Sequence, residues 1–243
     1  MSADSYKGFA ERYDWMSGED PVRTAFFRRL FAENKVQKVL DCACGTGSDL
    51  LMFHSMNLET YGSDLSESML AEARQKTANT NIVLRKADFC NLPDAHNGKF
   101  DAIACLNNSI NEVLEDSGTL KALRSMNSVL NTGGLLIFDQ GQSDALMRNP
   151  PRFAPIVNNR NFTRLFTMDY SANILTVHIF DFIHTEENSD FKQHSIRIRI
   201  RLLDSWKDIL QEAGFVKADF YGDWDFTPYD KKSSKRLIAV ARK

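Results

Sequence analysis

The sequence predicts an α/β protein with a doubly wound, mostly parallel sheet and an antiparallel β cap inserted after its fifth strand. Short apolar runs alternate with amphipathic segments from residue 22 to residue 139, as in strands joined by crossover helices. No glycine occurs between Gly141 and Gly214, and this stretch holds three long runs with no helix between them. The chain of 243 residues is 43% hydrophobic and 26% charged, which suffices for a sizeable core.

In the first half, periodicity predicts four helices and five strands. The helices fall at 22–33, 48–55, 66–76 and 116–130. Ser66 is a favourable N-cap for the third of them. The strands fall at 36–42, 59–64, 81–87, 100–106 and 135–139. The fourth strand is an almost continuous apolar run, which is typical of buried parallel sheets. Residues 131–134, just before the fifth strand, are predicted as a turn.

The second half has a different pattern. Apolar runs at 162–170, 174–184 and 191–202 predict antiparallel strands, and the last alternates with the period of two that leaves one face wet. A helix at 204–213 ends at Gly214, and strands at 220–224 and 237–240 form a final antiparallel pair. The insert therefore has roughly 60 residues, with an error of a few at each boundary.

An arginine stripe is predicted on the last strand of the insert. Arg197, Arg199 and Arg201 share one face, opposite a row of isoleucines. We expect these three side chains to be exposed, either to solvent or to another copy of the chain in a homo-oligomer joined through the cap strands.

Composition disfavours several classes of protein. The net charge of −2 is unlike that of a protein that binds nucleic acid through bulk positive charge. No run of about 18 apolar residues predicts a membrane span, and the first nine residues lack the regions of a signal peptide. Cys42 and Cys44 are spaced C-x-C without a second cluster, which favours reduced thiols over a metal site. We therefore expect a cytoplasmic protein that uses no metal, membrane or nucleic acid.

A strand, an acid and a tight glycine turn follow one another in VLDCACGTG. Ligands of doubly wound sheets bind at the carboxyl ends of strands, and glycine lets them approach the backbone. A dinucleotide motif needs glycine where this chain has Ala43 and Leu50, and Asp41 would repel a pyrophosphate. An acid at this point suits a cationic ligand without phosphate. S-adenosylmethionine, with its sulfonium and ammonium groups, is such a ligand.

Two further predicted strands also end in acids. Asp64 can accept both hydroxyls of a ribose, and Asp88 can accept the amino group of adenine with Phe89 beside the ring. Three acids at three successive strand ends predict S-adenosylmethionine as the cofactor. Two alternatives stay open: a nicotinamide-dependent oxidoreductase, which Asp41 disfavours, and a non-catalytic protein that binds S-adenosylmethionine.

The chain resembles the class I S-adenosylmethionine-dependent methyltransferases from Val39 to Asp139 and again after Asp204. It also resembles their glycine N-methyltransferase branch in the stretches VRTAFF, DCACGTGSD, FDAIACLNNSIN, NTGGLLIFD and YGDWDFTPY. The resemblance implies a seven-stranded sheet whose last strand is antiparallel. This agrees with the antiparallel pair predicted at the end of the chain.

The resemblance also implies roles for individual cofactor-binding residues. Arg23 falls on the arginine that holds the cofactor carboxylate, and Ala43 and Gly45 fall on backbone contacts to its methionine part. The resemblance also implies that Asp64 contacts the ribose and that Asp88 and Phe89 contact adenine. Met69 falls where an apolar residue packs on adenine, and Leu106 falls where a residue packs under the cofactor.

Substrate residues follow less directly. Asn108 falls on an asparagine that helps to hold the substrate, whereas Gly141 stands where the branch has an arginine that grips the carboxylate of glycine. That clamp is lost here, which leaves room for a larger acceptor. Arg164 lies in an otherwise aromatic strand face and is a candidate replacement. Tyr13 and Tyr229 flank the predicted opening, where tyrosine can steer an ammonium.

We therefore predict a methyltransferase that methylates a small molecule at nitrogen by in-line displacement in a dry pocket. Its catalytic candidates are Tyr13 and Asn108, and its substrate-binding candidates are Arg164 and Tyr229. O- or C-methylation of a small metabolite stays the alternative. The predicted organisation is an N-terminal helical lid at 1–35, a core at 36–141 and 203–243, and a substrate cap at 142–202.

Overall fold

The computed structural model describes residues 4–16, 18, 20–184 and 189–243. In chain order its helices are α1 (Ala10–Tyr13), α2 (Pro21–Glu33), α3 (Ser48–His54), α4 (Glu67–Lys76), α5 (Leu92–Ala95), α6 (Asp116–Val129) and α7 (Leu203–Glu212). Its strands are β1 (Lys38–Asp41), β2 (Glu59–Asp64), β3 (Val83–Lys86), β4 (Phe100–Cys105), β5 (Leu130–Gln140), β6 (Phe153–Asn158), β7 (Phe162–Ser171), β8 (Ile174–His184), β9 (Ser189–Arg199), β10 (Lys217–Tyr221) and β11 (Leu237–Arg242).

Seven of these strands form one sheet in the order β10-β11-β5-β4-β1-β2-β3. All neighbours are parallel except β11, which pairs antiparallel with both β5 and β10. The other four strands form a separate antiparallel sheet, β6-β7-β8-β9, which we call the cap sheet. The predicted fold class is confirmed, including the place of the insert after the fifth strand.

Helices cover both faces of the seven-stranded sheet because alternate strand residues point to opposite sides. Leu40 of β1 packs in a cluster with α6 and α7, whereas its neighbour Val39 packs with α2 and α3. On the second side the contribution of α2 is mostly aromatic: Phe26, Phe27 and Phe31 are all buried, together with Leu30. This packing fixes α2 and α3 beside the strand ends that lead into the site.

Local sequence signals set the starts of two of these helices. Asp20 caps α2 by accepting hydrogen bonds from the N–H groups of Val22 and Arg23, each at 3.0 Å, and Pro21 occupies the first helical position. Ser66 caps α4 by accepting the N–H of Met69 at 3.1 Å, as its position in the sequence predicts.

Two details of the strands differ from the predictions. The edge strand β6 is not among the predicted strands. It contains Pro155, which is tolerated at a sheet edge, and the pairing with β7 shifts register between Pro155 and Val157. Residues 131–134 were expected as a turn but belong to β5. The register with β4 shifts there, and Gly133 lies at φ +76, so the segment forms an irregularity inside the strand.

The arginine stripe is exposed only in part. Arg197 is exposed and Arg199 half-buried, but Arg201 is only 3% exposed. Its Nε donates to Asp116 at 3.1 Å and its Nη2 to the carbonyl of Val113 at 3.1 Å. The expectation for Arg201 was wrong because the chain leaves β9 before this residue and turns back against the core.

Within the described ranges, no helix combines the length and apolar character needed to cross a bilayer.

Candidate active site

A large cleft lies where β1 and β4 end and pass into their following loops. Its volume is about 1660 Å³, which exceeds the roughly 300–1,000 Å³ of most small-molecule sites. Its walls come from the N-terminal segment (residues 4–16), α2, the loop between β1 and α3, the loop after β4 and one face of the cap sheet. A cleft of this size has room for two ligands side by side.

The loop between β1 and α3 turns on two glycines. Asp41, 1% exposed, accepts a hydrogen bond from the N–H of Ala43 at 3.2 Å. Gly45 lies at φ +51, and an added Cβ would meet nothing within 4 Å, so its backbone is open to the cleft. Gly47 lies at φ +85, and an added Cβ would approach Ala73 to 3.3 Å. The turn therefore offers bare backbone to a ligand at Gly45 and allows α3 to approach α4 at Gly47.

Asp64 fastens this turn to the end of β2. Its Oδ2 accepts the N–H of Gly45 at 2.9 Å, and its Oδ1 accepts the N–H of Ser66 at 2.8 Å. Burial raises the pKa of this carboxyl. A carboxylate has about four lone-pair sites, so acceptor capacity remains for hydroxyl groups of a ligand.

An ion pair joins α2 to the start of α3. Nη2 of Arg23 donates to Oδ2 of Asp49 at 2.7 Å, and its guanidinium lies 5.2 Å from the ring of Trp224. Burial disfavours the charge, but the carboxylates of Asp49 and Asp139 raise the pKa of Arg23. Its Nε is buried and has no hydrogen-bond partner among the described residues. A guanidinium that lines the cleft suits an anionic group of a ligand.

Two asparagines follow β4 with left-handed backbone. Asn107 lies at φ +59 and Asn108 at φ +67, a conformation that asparagine tolerates better than most residues. Their N–H groups donate to Oδ1 and to the carbonyl of Asp139, at 2.8 and 3.1 Å. Oδ1 of Asn108 accepts the N–H of Gly141 at 3.1 Å. These bonds fix the loop against the end of β5 and hold Asn108 in the cleft wall.

The first residues of the N-terminal segment are bound to the core. Asp4 accepts hydrogen bonds from Oγ of Ser66 at 2.7 Å and from the N–H of Ser68 at 2.9 Å. Burial opposes ionisation, but these bonds outweigh it and lower the pKa of Asp4 to about 2. Tyr6 donates its hydroxyl to Oε1 of Glu112 at 2.5 Å. The segment is thus tied both to the start of α4 and to the loop after β4.

A third attachment lies at the other end of the segment. Asp14 accepts hydrogen bonds from Thr46 at 2.7 Å and from Nζ of Lys76 at 2.6 Å. Tyr13 lines the cleft beside this attachment. Burial, followed by the charge of Glu112, raises the pKa of its hydroxyl, which is therefore neutral at physiological pH. A neutral tyrosine can donate or accept a hydrogen bond.

Comparison with known proteins agrees with this geometry. Residues 39–134 match a family described as "Methyltransferase domain". The chain is 30% identical to the glycine/sarcosine N-methyltransferase of Aphanothece halophytica over 98% of this chain and 89% of that one. The chain belongs to the S-adenosylmethionine-dependent methyltransferases. The predicted family, near the glycine N-methyltransferase branch, and the predicted cofactor are both confirmed.

Two further comparisons extend this result. The methyltransferase is 29% identical to the glycine/sarcosine/dimethylglycine N-methyltransferase of Actinopolyspora halophila over 97% of its own length, but spans only 42% of that protein. The crystal structure of an S-adenosylmethionine-dependent methyltransferase from Clostridium acetobutylicum matches with a TM-score of 0.80 at 20% identity, covering 98% of both chains. The second match shows that the two proteins share a fold.

Five of the predicted site residues line the cleft. They are Tyr13, Arg23, Ala43, Gly45 and Asn108. Asp64 is not part of the cleft lining. It accepts the N–H of Gly45 and so lies directly behind that lining residue. The structure therefore brings together residues that the sequence places more than 90 positions apart, from Tyr13 to Asn108.

The residues predicted beside adenine and under the cofactor lie outside the lining of this cleft. Met69 and Leu106 are buried, with 3% and 2% exposure. Asp88 accepts the N–H of Cys90 at 2.8 Å and so caps the turn in which Phe89 lies. Their contacts with the cofactor stay predictions.

Arg164 is not where a substrate contact was expected. It is fully buried, and its Nε and Nη2 donate to the two carboxylate oxygens of Asp181 at 2.7 and 2.9 Å. Nη2 also donates to the carbonyl of Arg12 at 2.9 Å, and Nη1 lies 3.4 Å from the carbonyl of Tyr13. Because β7 packs this face against the N-terminal segment, the guanidinium binds protein groups instead of reaching the cleft.

Tyr229 is also bound within the protein. Its hydroxyl donates to Oδ2 of Asp144 at 2.7 Å and accepts the N–H of the same residue at 2.8 Å. It packs beside the core that contains α6 and α7 and is not part of the cleft lining. Tyr229 therefore holds the segment that follows β5 through Asp144. The prediction placed it at the opening of the cleft instead.

Three polar residues of the cleft, Tyr6, Asp49 and Glu112, were not among the predicted site residues. Asp49 gives no clear sequence signal, because an acid in the first turn of a helix is ordinary. Tyr6 gives none because no motif surrounds it. Glu112 lies in the same loop as Asn107 and Asn108. Its charge in the loop after a buried strand was the sequence feature that could have marked it as a site residue. Within the described ranges, no three His, Cys, Asp or Glu side chains are grouped so as to hold a metal ion.

Proposed function

We propose that this protein transfers the methyl group of S-adenosylmethionine to the nitrogen of a small-molecule amine, and that it does so in the cytoplasm. One observation carries the proposal. A single cleft joins the acidic glycine turn to a chamber formed by the N-terminal segment and the cap sheet. The N-methyltransferase names of the relatives from Aphanothece halophytica and Actinopolyspora halophila support nitrogen as the acceptor atom.

The residues present suit this cofactor. The guanidinium of Arg23 would bind its carboxylate, and the bare backbone at Ala43 and Gly45 would lie along its methionine part. Asp64 would accept hydrogen bonds from the ribose hydroxyls with the lone pairs that Gly45 leaves free. Asp88 with Phe89 and Met69 would hold adenine, and Leu106 would pack below.

When bound, S-adenosylmethionine supplies an activated methyl group, and the C–S bonding pair stays on sulfur as the nitrogen lone pair forms the N–C bond. The protein must hold the nitrogen in line with the methyl and exclude water. Tyr13 and Asn108 are the candidates for holding it, because both line the cleft and both are fixed by main-chain contacts, Asn108 through Gly141 and Tyr13 through Arg164.

The two sheets support a functional division of the chain. We infer an N-terminal lid at 1–35, a cofactor-binding core at 36–141 and 203–243, and a cap at 142–202 that selects a small-molecule acceptor. Phe182 and Phe191 lie exposed on β8 and β9 with ring centroids 5.4 Å apart, which supports contact between copies through the cap strands.

Incubation with methyl-labelled S-adenosylmethionine tests the function. The acceptors are a panel of small amines, alcohols and carbon acids, and mass spectrometry locates the label. We expect label on nitrogen in the wild type and much less transfer in Asp64→Ala. Asp101→Ala is a matched control, because Asp101 accepts the N–H groups of Gln37 and Lys38 at the opposite end of β1. Label only on oxygen or carbon, or cofactor binding without any transfer, would contradict the proposal.

A further inference from the structure

We propose that Glu112 binds the ammonium group of the acceptor and takes up one of its protons, which frees the nitrogen lone pair for transfer, and that the acceptor is an amine without a carboxylate beside its nitrogen. This inference rests on the proposed function, since it names the class of amine that the same cleft would methylate. Glu112 is not among the site residues that the sequence predicts.

The position of Glu112 suits this task. It ends the 3₁₀ turn Ser109–Glu112, which follows Asn108 directly. Its side chain lines the cleft and is exposed to the space inside it. Oε1 accepts the hydroxyl of Tyr6 at 2.5 Å. Oε2 has no hydrogen-bond partner in the part of the chain that the structure describes, so it is available to an N–H donor of a ligand.

The walls around Glu112 are aromatic and aliphatic. Tyr6 and Tyr13 lie with ring centroids 6.3 Å apart. The cap sheet adds apolar side chains to the same lining, namely Phe166, Ile179, Ile196 and Ile198. Aromatic faces and a carboxylate both attract a cation, and the apolar surroundings strengthen both interactions. The chamber thus suits a positively charged nitrogen on an apolar body.

The basic side chains of the cleft are engaged elsewhere or exposed. Arg23 pairs with Asp49 at 2.7 Å, and Lys76 pairs with Asp14 at 2.6 Å. Arg236 lies 3.8 Å from Asp139. Arg29 pairs with Glu33 at 2.8 Å on the exposed face of α2, where Arg28 also lies. Arg23 is the one assigned above to the carboxylate of the cofactor.

Neither Gly141 nor the candidate replacement Arg164 provides a clamp for a substrate carboxylate. Gly141 has no side chain, and an added Cβ there would meet nothing within 4 Å. Arg164 is fully buried against Asp181. An acceptor carboxylate would therefore meet the charge of Glu112 without a compensating cation, which disfavours an α-amino acid.

The alternative role of Glu112 is only to anchor Tyr6, and two variants separate the two roles. Glu112→Gln keeps an oxygen that can accept the Tyr6 hydroxyl but removes the negative charge. Tyr6→Phe removes that hydrogen bond and keeps the charge. An anchoring role predicts a larger defect in Tyr6→Phe, whereas ammonium binding predicts a larger defect in Glu112→Gln.

The test measures binding by calorimetry with S-adenosylhomocysteine present, so that no methyl transfer is required. The probes are phenethylamine, phenylalanine and phenethyl alcohol, which share a body and differ in the carboxylate and the amine. We expect the wild type to bind phenethylamine about 10–100-fold more tightly than the other two, as one charged hydrogen bond allows. In Glu112→Gln this preference should fall to about threefold or less, while Tyr6→Phe should retain it. Affinity for S-adenosylhomocysteine should stay unchanged in both variants, which also shows that they fold.

Several results would overturn the inference: equal binding of phenethylamine and phenylalanine, no binding of phenethylamine to the wild type, or an unchanged preference in Glu112→Gln. The proposed function fails separately. If phenethylamine binds through Glu112 but no amine is methylated, the proposed function is wrong and Glu112 stands only as an ammonium-binding residue. If amines are methylated with equal efficiency by the wild type and Glu112→Gln, the function holds and the inference is wrong.

Discussion

The two sides of the cleft differ in the distance along the chain between their bonded partners. On the cofactor side, Asp41 and Ala43 are 2 positions apart, and Gly45 and Asp64 are 19 apart. On the acceptor side, Tyr6 and Glu112 are 106 positions apart, and Arg12 and Asp181 are 169 apart. A short motif can therefore specify the first side, whereas the second exists only after distant segments have packed.

The largest expected effect tests whether the acceptor side depends on buried charge. Asp181 accepts from Arg164 and, at 3.0 Å, from Arg12. Asp181→Ala leaves two buried arginines without their carboxylate, so we expect the free energy of unfolding to fall by about 3–5 kcal/mol in urea titrations. Asp169→Ala is the control.

Asp169 also bonds an arginine of the cap, Arg152 at 3.2 Å, but both side chains are exposed. Its loss should cost about 0–1 kcal/mol. Equal losses in Asp181→Ala and Asp169→Ala would show that burial of the first pair does not matter.

The next effect belongs to the cofactor side. Asp64→Ala removes a carboxylate held by Gly45 and Ser66, and with it the predicted acceptor for two ribose hydroxyls. We expect the dissociation constant of S-adenosylmethionine to rise at least about 10–100-fold, measured by calorimetry, because the loss of even one hydrogen bond to a charged group costs about 1.5–3 kcal/mol. An affinity equal to the wild-type value would remove the ribose assignment. A matching loss in Asp101→Ala would point to damage of the sheet as a whole.

A smaller effect concerns acid stability in the core. His96 is 4% exposed, and burial lowers its pKa to about 4, so it is neutral in the folded protein. Between pH 6.5 and 4 the unfolded chain binds this proton and the folded chain does not, so stability falls as the pH falls through this range. His96→Gln should lose about 1–3 kcal/mol less than the wild type between pH 7 and pH 4 in urea titrations.

On the acceptor side, burial and then the charge of Arg12 lower the pKa of His194, which stacks on Phe9 at 4.5 Å. His194→Gln should therefore reduce acid sensitivity in the same direction. Stability curves that stay parallel to the wild-type curve in both variants would show that neither histidine is held neutral by the fold.

The smallest expected effect is at Gly141. An arginine there has space, since an added Cβ meets nothing within 4 Å, but it would face a chamber built around Glu112. We expect Gly141→Arg to change the rate of glycine methylation by less than about threefold, because one added contact does not reshape a pocket. Efficient turnover of glycine by the unmodified protein would contradict the significance given to this position.

Particular residues show how far the sequence could predict the site. Ser66 was expected to cap α4, and it does so because a cap depends on three adjacent residues. Arg164 was noticed as an anomaly in an aromatic strand face, but its partner could not be inferred. Asp181 lies on the neighbouring strand β8 and Arg12 on α1, and no periodicity within β7 reports on either of them.

The sequence by itself determined the fold class, the strand ends that carry acids, the glycine turn and therefore the family and cofactor. These features depend on local backbone geometry and on the alternation of apolar residues, both of which act over a few positions. Only the tertiary structure decided that Arg164 is internal, that Tyr229 holds Asp144, and that Glu112 meets Tyr6 in the cleft. The physical reason is that the bonded partners of these side chains lie on distant segments. They meet only when the cap sheet packs against the N-terminal segment, so no short stretch of sequence contains both members of a pair.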